Sequence, residues 1–150
     1  GEDQGVPEVN ETYCQGSRFF AKNLPIPRPD EAINLDMVGD KQLVLPIERY
    51  SLEYHPQLVR HLWDRAKEMG LDAFIGRVDY AIYDDHIPLN EIAGIPSIDL
   101  IDFKYPNSYA NFWHTLNDIP ENCSEESLGQ VGDLMVDYIY NREEQNRSEN

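Results

Sequence analysis

A chain of 150 residues is the size of one domain and is long enough to bury a core without disulfide or metal staples. Its 41% hydrophobic and 27% charged residues are ordinary for a globular protein, and no run of about 18 apolar residues is present to form a membrane span. The 28 acids against 12 bases leave a formal net charge of −16, which repels phosphate backbones and argues against nucleic acid as a partner.

Residues 1–12 are polar and turn-rich, without the basic segment and apolar core of a signal peptide. Residues 13–23, with Phe19, Phe20 and Ala21, predict a short helix. Residues 24–30 carry three prolines and read as an extended connection. Residues 31–38 alternate and predict a strand closed by Gly39, and residues 42–48 predict a second. Pro56 opens the clearest helix, with Leu58, Val59, Leu62, Trp63, Ala66 and Met69 as its apolar stripe and Gly70 as its stop. A strand follows over 74–82, then a helical turn over 89–93 ended by Gly94. Residues 97–103 (S-I-D-L-I-D-F) predict another strand. Ser124 caps a final helix whose first turn holds Glu125 and Glu126, where the helix dipole favours acids. Residues 142–150 are expected to fray as a polar acidic tail. Residues 117–150 hold nine acids and two bases, read as a solvated face or as the source of a few carboxylates for a cation.

Strands alternating with helices predict an α/β fold around a mostly parallel sheet. Ligands in such sheets sit at the carboxyl ends of strands. Asp36 ends the first strand, Asp84, Asp85 and His86 follow the 74–82 strand, and Trp113 and His114 follow the 97–103 strand. Asp36, among Leu35, Met37 and Val38, is expensive to bury unless paired, hydrogen-bonded or metal-bound. The adjacent acids Asp84 and Asp85 read either as a helix cap or as a hydrogen-bonded network tuning a catalytic group. Glu2-Asp3 is a second adjacent pair, weak taken alone. His55 and His61 read as surface residues, whereas loop histidines at a sheet edge are better ligand candidates. Cys14 and Cys123 lack the spacing of a cysteine-rich zinc site, and the sequence leaves their pairing open.

Five strings fall in a specific order: G-E-D at 1–3, L-D-M-V-G at 35–39, D-D-H-I-P-L at 84–89, A-G-I-P-S-I-D-L-I at 93–101 and F-W-H-T-L-N-D at 112–118. Together they resemble the zinc exopeptidase family that contains the bacterial leucyl-type aminopeptidases and the animal-type glutaminyl cyclases. The resemblance runs from Gly1 to about Tyr140. It implies a three-layer α/β/α sandwich and one or two zinc ions. It also implies roles for individual residues. Glu2 matches the general acid/base, and Asp3 the acidic zinc ligand after it. Asp36 matches an aspartate that binds a second zinc in two-metal members and joins a hydrogen-bond network in single-zinc cyclases. His114 matches the histidine ligand, and Trp113 the aromatic wall that packs on substrate in cyclases. Asp84 matches an acid that cyclases link to the catalytic glutamate. Tyr83, Asp85 and His86 are expected to touch substrate or to support the site, His86 not as a ligand.

In an aminopeptidase these parts act on a peptide N-terminus: zinc lowers the pKa of a water to about 7 and Glu2 passes its proton to the leaving amine. In a cyclase the substrate's own amine attacks the γ-carbonyl of an N-terminal glutamine and Glu2 shuttles the proton. The family's H-x-D motif, which lies upstream of G-E-D, is not in this sequence. The expectation is therefore a C-terminal half whose sheet is incomplete at its N-terminal side, with weak zinc binding and no turnover alone. The sequence favours aminopeptidase, with cyclase second and a non-catalytic α/β binding module third. The resemblance favours a secreted or periplasmic parent protein.

Overall fold

The computed structural model describes residues 5–148, with side chains through Arg142. A 3-10 turn at Asn10–Thr12 leads into helix α1 (Gln15–Asn23). Strand β1 (Ala32–Asp36) is shorter than predicted because Met37, not Gly39, breaks it, with a left-handed φ of 53°. Strand β2 (Leu45–Ile47) starts late because Asp40 builds a turn: its side chain accepts from Gln42 N at 3.1 Å and its carbonyl from Leu43 N at 3.0 Å.

Helix α2 (Arg49–Tyr54) carries no periodic pattern long enough to predict it and is held by its cap. Glu48 accepts from Tyr50 N and Ser51 N there. Helix α3 (Pro56–Met69) is as read, with Leu58, Val59, Leu62, Trp63 and Ala66 all buried. Burying such a side chain stabilises by about 1.5–3 kcal/mol. Strand β3 (Phe74–Val78) pairs with β2 and is shorter than predicted.

Helix α4 (His86–Glu91) begins three residues before the predicted turn. Strand β4 (Ser97–Ile101) pairs with β1 and is buried at all five positions. Strands β5 (Pro106–Asn107) and β6 (Ala110–Asn111) form a small antiparallel hairpin, with Pro106 opposite Asn111 and Asn107 opposite Ala110. After a 3-10 turn at Pro120–Asn122, helix α5 (Glu125–Ser148) is capped by Ser124, whose Oγ accepts from Ser127 N at 3.1 Å. Its backbone is helical through Ser148.

The chain divides into two compact units. The first comprises Gly1–Asp36, Ile47–Val59 and Arg77–Leu100; the second comprises Met37–Pro46, Arg60–Gly76 and Ile101–Asn150. The apolar core of the first holds Leu58, Val59, Ile87, Ile95, Ile98 and Leu100. That of the second holds Leu45, Leu62, Trp63, Phe74, Val131 and Leu134. The architecture is α/β with short sheets, as the alternation of elements predicts. Among the described residues no helix is long and apolar enough to cross a membrane.

Candidate active site

Four candidates lie in sequence in the first unit: Tyr83, Asp84, Asp85 and His86, where the chain enters α4. Asp85 stands at the N-cap position, but its side chain makes no capping bond and its Oδ1 is buried without a partner. The cap reading of Asp85 therefore fails. Tyr83 Oη accepts from Arg18 Nη2, and the guanidinium lies 5.7 Å from its ring centre.

Asp84 leads inward. Its Oδ2 accepts from Asn34 Nδ2 at 3.0 Å, and the same amide donates to Asp99 Oδ1 at 3.0 Å. Asn34 is on β1 and Asp99 on its paired strand β4, so strand pairing brings them together. Beyond Asp99 stands His86, fully buried, its Nδ1 3.8 Å from Asp99 Oδ2 and its Nε2 3.4 Å from Glu48 Oε2. Glu48, also fully buried, accepts from Ile82 N at 3.0 Å, Tyr50 N at 3.0 Å, and Ser51 N and Oγ at 2.6 and 2.8 Å.

The acids of this chain titrate differently. Burial pushes Asp99 well above the usual carboxylate range, and the charges of Asp84, Asp36 and Glu48 push the same way. Burial also raises Asp84, helped by the charge of Asp85. Burial raises Glu48 too, but His86 and the amides of Ser51, Ile82 and Tyr50 outweigh it and hold Glu48 below its ordinary value. Glu48 is thus the acid of this chain that ionises most readily, and Asp99 holds its proton more tightly than an ordinary carboxyl does.

Asp36 is half-buried at the end of β1 in the first unit, directly before left-handed Met37. His114 lies in the second unit, exposed, with its own φ at 57°. A left-handed backbone at a non-glycine residue costs about 1–3 kcal/mol and recurs where function requires it. Trp113 stacks on His114 with ring centres 4.0 Å apart and packs at 5.4 Å on Phe103. Trp113 is 38% exposed and lines a cavity of about 480 Å³ with Phe103, Tyr105, Asn107 and Tyr109.

Glu2 and Asp3 lie outside the described residues. The carboxylate of Asp36 and the imidazole of His114 are hard and borderline donors that suit zinc. Another group of donors converges in the first unit: ligand atoms of Cys14, Asp84 and Asp85 lie within 4.8 Å of one another. Cys14 is buried and Cys123 exposed, each as a thiol. His55, read as a surface residue, is instead half-buried and 3.3 Å from Glu31.

The sequence reading missed Asp99 and Glu48. Asp99 had a signal, an acid inside the apolar string S-I-D-L-I, which is the argument already applied to Asp36. Glu48 had none nearby, since Ile82 and His86 are distant in sequence.

Residues 5–139 match the sequence profile of peptidase family M28. No curated protein matches the chain. Among solved structures, the glutaminyl cyclase of Porphyromonas gingivalis is 31% identical with a TM-score of 0.88, over 94% of this chain and 53% of its own. A Zn-dependent exopeptidase from Parabacteroides distasonis is 35% identical with a TM-score of 0.85, over 93% of this chain and 51% of its own. A leucine aminopeptidase precursor from Bacteroides thetaiotaomicron is 33% identical with a TM-score of 0.84, over 93% of this chain and 50% of its own. The chain thus spans about half the length of the structures it matches. With the profile match covering nearly all of it, the chain belongs to peptidase family M28.

Proposed function

We propose that the protein carrying this chain is a zinc-dependent glutaminyl cyclase, which closes an N-terminal glutamine to pyroglutamate and releases ammonia. One observation carries the reading: Asp84, the acid that the resemblance links to the catalytic glutamate, is built into a buried hydrogen-bonded acid chain. A cyclase moves one proton within its substrate and excludes attacking water, and buried acids suit that task. Trp113 supports the reading, because its exposed indole beside His114 offers a flat wall to a compact cyclising side chain.

The resemblance assigns zinc ligation to Asp3, Asp36 and His114, and zinc bound by such ligands would supply Lewis acidity toward the γ-carbonyl. The substrate's α-amine forms the lactam C–N bond as the bond to the γ-amide nitrogen breaks. Glu2 takes the proton from the amine and delivers it to the departing ammonia. By the resemblance, Asp84 is the acid linked to Glu2, and Trp113 is the aromatic wall for the glutamine side chain.

A second reading is a metalloaminopeptidase, favoured by the 33–35% identity to the leucine aminopeptidase precursor and the Zn-dependent exopeptidase. Glutamine naphthylamide incubated with the zinc-loaded full-length protein separates the two. Pyroglutamyl naphthylamide is the cyclase result, and free naphthylamine with free glutamine is the peptidase result. Zinc removal with a chelator should abolish either activity, and readdition should restore it.

A further inference from the structure

A single amide nitrogen spans two carboxyls in the first unit. Asn34 Nδ2 carries two hydrogens, one aimed at Asp84 Oδ2 and one at Asp99 Oδ1, both at 3.0 Å. Asp99 is fixed from behind. Its N–H donates to Ser51 Oγ at 2.8 Å, and that hydroxyl donates to Glu48 Oε2 at 2.8 Å. A parallel route passes through His86, 3.8 Å from Asp99 and 3.4 Å from Glu48. Glu48, Ser51, His86 and Asp99 are all fully buried. Apolar residues of the same volume would hold such a core at least as well, because removing paired charges from water often costs more than their attraction returns. Both His86 ring nitrogens and Asp99 Oδ2 lack a hydrogen bond that meets ordinary geometry. The half-buried end of the chain is Asp84.

We propose that Asn34 and Asp99 are positioning residues for Asp84: Asn34 spans the two carboxyls, and the Glu48–His86–Asp99 chain anchors the one that does not move. The inference deepens the cyclase reading and rests on it for the role of Asp84 beside Glu2.

The test uses the zinc-loaded full-length protein and the variants Asn34→Ala, Asp99→Ala and Asp99→Asn. Each is crystallised and assayed on a peptide with N-terminal glutamine. Asn34→Ala should let the Asp84 carboxylate shift by about 1 Å or more and lower kcat about 10- to 100-fold with KM little changed. Asp99→Asn keeps an acceptor for Asn34, so it should leave Asp84 in place and restore most of the kcat that Asp99→Ala loses. Should Asp99→Ala not fold, Asn34→Ala, at a half-buried position, reads the same contact. An unmoved Asp84 in Asn34→Ala overturns the proposal, as does an unchanged kcat in an enzyme that cyclises glutamine. A wild-type protein that makes no pyroglutamate defeats the cyclase reading alone. The place of Asp84 in the Asn34→Ala crystal still decides the positioning claim, displaced for it and unmoved against it.

Discussion

Leu62 in the second unit and Glu48 in the first are both wholly inaccessible, but what surrounds them differs. Around Leu62 the unit buries Trp63, Ala66, Phe74, Val131 and Leu134, an apolar interior of the kind that stabilises by transfer from water. Around Glu48 the unit buries Ser51, His86 and Asp99. The second unit has acids of its own, Asp40 and Asp102, but they bind backbone amides: Asp40 accepts from Gln42 N, and Asp102 from Lys104 N and from Val44 N, distant in sequence. In the first unit the acids are joined to one another and end at Asp84. Proteins break the rules of core composition where function requires it, and the comparison locates that departure in the first unit.

Deletions should expose the difference most strongly. Glu48→Ala leaves His86 without its anion and four donors without an acceptor, and should cost about 3–5 kcal/mol in urea unfolding. Leu62→Ala should cost about 2–5 kcal/mol, nearer the low end if the second unit relaxes into the cavity. A mutant pair of equal cost would still be told apart by pH, because only the Glu48 deletion changes an ionisable group.

The pH dependence carries opposite signs at Asp102 and Glu48. Burial, with the charge of Asp40 adding to it, raises Asp102 in the second unit from 3.8 to about 6, against the amides of Val44 and Lys104. Folded Asp102 then binds its proton more tightly than unfolded Asp102. Its contribution is present at low pH and is lost as pH rises from about 4 to about 6. Relative to wild type, Asp102→Asn should therefore gain about 2–3 kcal/mol across that window, read by thermal unfolding at each pH. Glu48 is lowered in the folded state, so its contribution is present above 4.5 and is lost as pH falls through the lower folded value. Glu48→Gln should flatten the acid side of the stability curve. The smallest effect is at the cap of α5, where Ser124→Ala should cost about 1 kcal/mol by loss of the bond to Ser127 N.

Much of this was legible in the sequence, for physical reasons that can be named. The α3 stripe and its proline start fixed that helix, because its packing face repeats every turn. Asp36 stood out because an acid among apolar strand residues needs a reason, and Asp84 because it stands beside a second acid. The missed parts depend on partners far along the chain. Helix α2 is only six residues and is held by a glutamate cap that is itself held by Ile82 and His86. The β5–β6 hairpin has strands of two residues, too short for any alternation to register. The strand carrying Asp99 was read correctly, but its acid was taken as part of the pattern rather than as an exception to it.

The central claim is that the first unit's buried acids support a site that cyclises an N-terminal glutamine. Mass spectrometry of a glutamine-leading peptide after incubation with the zinc-loaded full-length protein tests it most directly. The account predicts a peptide that has lost one ammonia and kept every residue. A peptide shortened by its N-terminal glutamine, with no pyroglutamyl product, would contradict it.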